Sequence, residues 1–212
     1  MLLDNSYVEK LVKRASEIND IELNRLLKMF LEERKELIRE NKKYEDMANY
    51  DSMTGLYNRR ILANVHKCSS LAICDIDDFK QVNDTYGHDE GDHVIKEIAR
   101  IIREGVREKD FVCRYGGDEF IIGFADCYQE DVVRKRLEQI QKKISEEVVI
   151  GNGLKPATIS VGMVMNVDNH NYDDIKTLIS KADLALYQSK KRGKSRVTQY
   201  DESSSTEMGR QI

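Results

Sequence analysis

The sequence predicts an α/β (α+β) domain: a mixed β-sheet with a central antiparallel hairpin, flanked by helices and preceded by an N-terminal helical segment. Three observations predict it. After residue 48, short apolar runs alternate with segments of helical period. Two of those runs, Phe111–Tyr115 and Phe120–Phe124, are separated only by Gly116-Gly117-Asp118-Glu119, the composition of a tight turn between strands. Residues 6–48 contain no glycine or proline, as an unbroken helical stretch requires.

In chain order, Val8, Leu11, Ala15 and Ile18 form a short apolar stripe, and Asn19-Asp20 mark a break with Asp20 as a helix cap. From Leu23 a heptad begins. One seam position carries Leu23, Phe30, Leu37 and Tyr44, the other Leu27, Arg34, Asn41 and Ala48. Such a stripe suits a coiled coil with a weak seam, two of its eight members being polar, or a helix packed on its own domain; Asn41 at a seam position favours a parallel dimer in one register. Leu71–Ile76 reads as a buried strand ending in acids. Val94, Ile95, Ile98, Ala99, Ile101 and Ile102 recur at helical spacing, and residues 129–147 form a charged amphipathic helix. Thr158–Met165 reads as a strand, Asp173–Lys191 as a helix and Ser195–Tyr200 as a last strand. This divides the chain into a helical segment 1–48, a folded domain 49–200, and a tail 201–212 whose Ser- and Glu-rich composition has no core-forming pattern.

Composition limits the function. The formal net charge of −4 gives no bulk basic field for nucleic acid. No apolar stretch approaches the ~18 residues of a membrane span, and the N-terminus lacks a signal-peptide layout, so the expected location is cytoplasmic. The four cysteines, Cys68, Cys74, Cys113 and Cys127, form no C-x-x-C pair and read as core thiols.

The acids carry the chemical signal. Asp75 and Asp77 end the first strand, and Asp118 and Glu119 sit at the tip of a hairpin placed to lie beside it. Carboxylates that converge repel one another unless a cation lies between them, and Mg²⁺ takes oxygen ligands together with substrate phosphates. Lys80, Lys190, Lys191, Arg192 and Lys194 supply local positive charge. Acids for metal and lysines for phosphate suggest a nucleoside triphosphate. On spacing alone, solvated surface acids at loop tips are the more common case.

A series of motifs is more specific. Arg114-Tyr115-Gly116-Gly117-Asp118-Glu119-Phe120 is preceded by Asp51-Ser52-Met53-Thr54-Gly55-Leu56-Tyr57-Asn58-Arg59, by Asp75-Ile76-Asp77-Asp78-Phe79-Lys80-Gln81-Val82-Asn83-Asp84 and by Gly87-His88-Asp89-Glu90-Gly91-Asp92. It is followed by Ser160-Val161-Gly162 and Ala182-Asp183-Leu184-Ala185-Leu186-Tyr187. In this order they resemble the GGDEF family of diguanylate cyclases over roughly residues 47–200. The resemblance implies a palm-like mixed sheet and condensation of two GTP into cyclic di-GMP by a homodimer.

By the same resemblance, Asp75 and Asp118 hold Mg²⁺ (or Mn²⁺), as a pair of ions in each half-site, with the Ile76 carbonyl and Glu119 as further ligands. Asn83 and Asp92 read the guanine edge. Phe79, Lys80, Gly116, Gly117, Lys190 and Lys194 surround the rest of the nucleotide. Lys194 departs from the family, which usually has Arg in G-R-N where this chain has Gly193-Lys194-Ser195. Lysine keeps the charge without the bidentate fork. Arg107-Glu108-Lys109-Asp110 matches the family's R-x-x-D motif and implies inhibition by bound product at Arg107 and Asp110.

Overall fold

The structure, a computed structural model, describes residues 10, 13, 14, 21–65, 68–151, 153, 155–166 and 174–202. The expected stripe at Val8, Leu11, Ala15 and Ile18, the Asp20 cap and most of the tail lie outside the described residues. The chain divides into two compact units, Met1–Ala48 and Asn49–Ile212.

The first unit is dominated by helix α1 (Ile21–Asn49), 29 residues and about 43 Å long. Phe30, Leu37 and Tyr44 of the expected seam are exposed, as are Leu26, Met29 and Ile38.

In the second unit a two-residue strand β1 (Tyr57–Asn58) leads into a 3₁₀ helix (Arg59–Asn64). Its N-terminus is capped by the Asn58 side chain, which accepts from Arg60 N–H. Strand β2 (Ser70–Ile76) is buried along its whole length. Helices α2 (Phe79–Tyr86) and α3 (His88–Gly105) follow, then the hairpin of β3 (Phe111–Arg114) and β4 (Glu119–Phe124). After helix α4 (Glu130–Glu147) comes a small separate hairpin, β5 (Val149–Ile150) with β6 (Lys155–Pro156). Strand β7 (Ile159–Met165), helix α5 (Ile175–Lys191) and strand β8 (Val197–Gln199) complete it.

The main sheet runs β1-β3-β4-β2-β7-β8. The four inner strands are antiparallel neighbours, and the two edge strands pair in parallel. The mixed sheet and the hairpin beside β2 are as the sequence predicts. Strand alternation divides the core. Ala72, Cys74 and Ile76 pack with Ile95, Ile98, Ile102, Leu137 and Ile140 of α3 and α4. Leu71 and Ile73 face the other way, with Leu178, Ala182 and Leu186 of α5. Burial on both faces explains why β2 reads as a continuous apolar run. At Gly162 of β7, α5 comes so near that an added Cβ would overlap the Ala182 carbonyl oxygen and Leu186 N, and stand 2.8 Å from Leu186 Cα.

The observed helix α5 starts at Ile175, one residue after its cap: Asp174 accepts from Thr177 N–H at 2.7 Å. Three of the cysteines, Cys68, Cys74 and Cys113, are buried, and burial pushes the thiols of Cys74 and Cys113 up to about 12.

Candidate active site

β2 and β4 bring the predicted acids together. Their register sets Asp75 directly opposite Glu119, on the α5 face of the sheet. Ile76, the last residue of β2, donates its N–H to the Asp118 carbonyl at 3.2 Å, which fixes the hairpin tip against the strand end. Asp75 is buried, and Asp118 and Glu119 are half-buried. Burial raises the carboxyl of Asp75, with the charges of Asp118 and Asp77 adding to it and Lys190 opposing. Burial also raises Glu119, and Asp75 and Asp118 add to it. Asp75 and Glu119 therefore resist ionising, as expected of carboxylates short of cations.

Two lysines supply part of that charge. Lys190, in the last turn of α5, places Nζ 2.8 Å from Asp75 Oδ2. Lys194 places Nζ 2.6 Å from Asp78 Oδ1, and this bond holds the Asp78 carboxyl low and the Lys194 ammonium high. Asp78, Lys194 and Ser195 all have left-handed backbones (φ 58°, 62° and 46°), so both loops that meet here are tightly turned. Lys80 is exposed at the start of α2, beside half-buried Phe79.

Asp77 takes a different role from its neighbour. The sequence groups it with Asp75, but β2 ends at Ile76 and the chain turns away. Asp77 accepts from Ser160 Oγ at 2.6 Å, Thr158 Oγ1 at 2.8 Å and Ser195 N–H at 3.1 Å. It ties β7 to the loop that carries Lys194.

The glycines of the hairpin differ. An added Cβ at Gly117 meets nothing within 4 Å, so the tip is open there. At Gly116 it would stand 2.6 Å from Glu119 Oε2, so this glycine makes room for the chain's own carboxylate.

Sequence reasoning missed the role of Arg114. Its Nε and Nη2 donate to the Gly117 carbonyl at 3.1 and 2.7 Å, and Nη1 reaches Asp51 Oδ1 at 3.3 Å. Burial works to raise the Asp51 carboxyl, but hydrogen bonds from Thr54 and the charge of Arg114 outweigh it and hold it low. One guanidinium thus clamps the hairpin tip to the 51–57 loop. The signal was the presence of Asp51 and Arg114 in two of the ordered sequence motifs.

Asn83 on α2 and Asp92 on α3 are half-buried, and neither side chain makes a hydrogen bond among the described residues. Arg107 and Asp110 stand at the opposite end of β3 from the hairpin tip. Asp110 is buried and already engaged: its Oδ2 accepts from Arg107 N–H at 2.9 Å and lies 3.5 Å from Arg136 Nη1, while Oδ1 accepts from Ala125 N–H at 3.0 Å. Arg136 was not anticipated. The Arg107 guanidinium is exposed, with no partner among the described residues.

Whether a divalent cation fits follows from the donors. Among the described residues no group of three or more His, Cys, Asp or Glu stands in ready metal-binding geometry. The facing Asp75 and Glu119, with Asp118 near enough to raise both, nevertheless form an all-oxygen, charge-deficient set of the kind Mg²⁺ takes with substrate phosphates.

Comparison with known proteins identifies the family. Diguanylate cyclase A of Treponema denticola is 38% identical over 149 residues, covering 69% of this chain and 39% of its own length. Diguanylate cyclase DosC of Escherichia coli is 34% identical over 176 residues, covering 77% of this chain and 37% of its own. The chain thus spans under two-fifths of the length of these relatives. Among solved structures, the coiled coil and GGDEF domain of DgcB from Caulobacter crescentus, in complex with c-di-GMP, superposes with a TM-score of 0.72 at 30% identity, covering 84% of this chain and 98% of that one. No helix among the described residues is long and apolar enough to cross a membrane. The family model "Diguanylate cyclase, GGDEF domain" matches residues 48–196, and the chain belongs to that family.

Proposed function

We propose that this chain condenses two GTP molecules into cyclic di-GMP with release of pyrophosphate, working as a homodimer. The observation that carries the reading is the pairing of Asp75 with Glu119 at the strand end where Lys190 and Lys194 also arrive. Oxygen donors for a cation and ammonium groups for phosphate meet at one place.

The 3′-hydroxyl of one GTP attacks the α-phosphorus of the other. A new O–P bond forms, the bond from the α-phosphorus to the bridging oxygen breaks, and pyrophosphate leaves. A second, symmetric attack closes the ring. Asp75, the Ile76 carbonyl, Asp118 and Glu119 would hold Mg²⁺ or Mn²⁺, which when bound neutralises phosphate charge and eases loss of the hydroxyl proton. Asp118 takes that proton. Lys190 and Lys194 turn from their carboxylate partners to the triphosphate, assisted by Lys80. Asn83 and Asp92, whose polar groups stand open, bind the guanine edge. Adenine offers Asp92 no matching N1–H, and a buried acceptor left unpaired discriminates strongly. Phe79 packs beside the nucleotide, and the open tip at Gly117 admits it near the backbone.

Each folded unit binds one GTP, so a second must face it. The exposed apolar residues of α1 support pairing of two chains through this helix. Arg107 and Asp110 form the proposed product-inhibition site. Because Asp110 is structurally engaged, Arg107 is the residue to test.

Purified protein with GTP and Mg²⁺ should yield cyclic di-GMP by chromatography, and Asp118→Ala should yield none while keeping its thermal transition. Absence of product from dimeric, product-free wild type rejects the reading in favour of a GTP- or cyclic di-GMP-binding module. Arg107→Ala should remain active and lose inhibition by added cyclic di-GMP. Unchanged inhibition rejects that site.

A further inference from the structure

Asn83 and Asp92 come from different helices, and a missing side chain at the residue before Asp92 lets the Asn83 carboxamide settle against the second helix. Gly91 lies in the first turns of α3, buried, without a positive φ. Its backbone has no need of glycine, and alanine at a helical position is better by about 1 kcal/mol. Space is the reason for it. A Cβ on Gly91 would overlap Asn83 Oδ1, stand 3.1 Å from Asn83 Cγ and 3.2 Å from Phe79 Cζ. The Asn83 carboxamide therefore rests on the bare Cα of the residue preceding Asp92.

The corner between the helices is braced against opening. Gly87 reverses the chain at φ 87°, donating to the Asn83 carbonyl at 2.9 Å and accepting from Gly91 N–H at 3.3 Å. Glu90 Oε1 accepts from Gly151 N–H at 2.8 Å, and Tyr86 packs against the same glycine. A side chain at position 91 is thus relieved by the easiest movement available, rotation of the Asn83 head group, since the obstructing atom is the far end of a flexible side chain. The Phe79 ring has only to give by a few tenths of an ångström.

We propose that Gly91 is a specificity-determining position: the absence of its side chain seats the Asn83 carboxamide against the backbone of α3 one residue before Asp92, and any larger residue swings the carboxamide away from the base without disturbing the triphosphate end of the site. This rests on the reading of Asn83 and Asp92 as the guanine-binding pair. Gly91 acts through Asn83, as a positioning residue.

The test measures binding of the α,β-methylene analogues of GTP and ATP, with Mg²⁺, by calorimetry for wild type, Gly91→Ala, Asn83→Ala and the double variant. Asn83→Ala should weaken the GTP analogue about tenfold, the value of one hydrogen bond to a buried group. Gly91→Ala should do the same, leave the weak ATP analogue unchanged and show no loss of thermal stability. The double variant should bind as Asn83→Ala alone, because the carboxamide that the new methyl displaces is already gone. Loss in Asn83→Ala with wild-type affinity in Gly91→Ala overturns the proposal and spares the guanine reading. A double variant that loses beyond Asn83→Ala also overturns it, as Gly91 would then act on the fold. Wild-type affinity in Asn83→Ala removes the guanine reading and this proposal together.

Discussion

Glu119 is raised by burial and by the like charges of Asp75 and Asp118, so in the folded protein its ionised form is disfavoured. An acid whose folded value lies above its unfolded value loses stability as pH rises from the ordinary carboxyl range to the folded value, and the loss is complete above it. At neutral pH, with metal removed by chelation, Glu119→Gln should therefore raise the melting temperature by about 1–2 °C, the scale of relieving one like-charged cross-strand pair. Near pH 4 the gain should vanish, and a gain independent of pH would contradict this account. Ser195 offers a second residue-scale expectation. Its φ of 46° is one that asparagine tolerates better than serine, so Ser195→Asn should stabilise by about 0.5 kcal/mol in denaturant melts. The meeting of Asp75 with the hairpin acids was legible, because a buried strand that ends in carboxylates must deliver them to an edge. The separation of Asp75 from Asp77 was not: residues two apart share a face only while the strand lasts, and the turn after Ile76 has no periodic signature.

Arg114 acts between elements, holding the hairpin tip and the 51–57 loop with one planar group. Arg114→Lys keeps the charge opposite Asp51 but cannot donate twice to the Gly117 carbonyl. The tip carries Asp118 and Glu119 but not Asn83 and Asp92, which stand on α2 and α3. The substitution should lower kcat ten- to a hundredfold, about the cost of misplacing a reacting group by an ångström, with the KM for GTP little changed. Steady-state kinetics decide it, and an effect confined to KM would place the clamp elsewhere. At this scale the long elements were legible from their periods and the short ones were not. α2 has only eight residues and one fully buried side chain, Val82, with partly buried Phe79 beside it, too few to show a period. β5 and β6 have two residues each, and Val149 and Pro156 are exposed. Such elements are set by the neighbours they pack on.

For the whole molecule, the proposed reaction requires two GTP-binding domains to meet. If α1 brings them together, removing residues 1–46 leaves an encounter governed by bulk concentration instead of the roughly millimolar effective value of a tethered partner. Specific activity of the truncated chain should climb steeply with protein concentration, while that of the full chain stays flat over the same range. Parallel curves would remove the helix from the assembly. The seam carries Arg34 and Asn41 as well as apolar residues, so the heptad predicts a weak seam, with Asn41 favouring a parallel pair in one register.

The close approach of α5 to β7 at Gly162 works as a gauge for chemistry some distance away. Leu186, whose backbone nearly touches that glycine, lies one helical turn before Lys190, the residue that reaches Asp75. The obstructing atoms at Gly162 are backbone, which cannot rotate aside, so a single methyl there would lift the whole helix. Lys190 would rise with it. The thickness of the layer between helix and sheet thereby sets the length of the salt bridge, and a change at a position with no charge of its own would be felt first at the carboxylate.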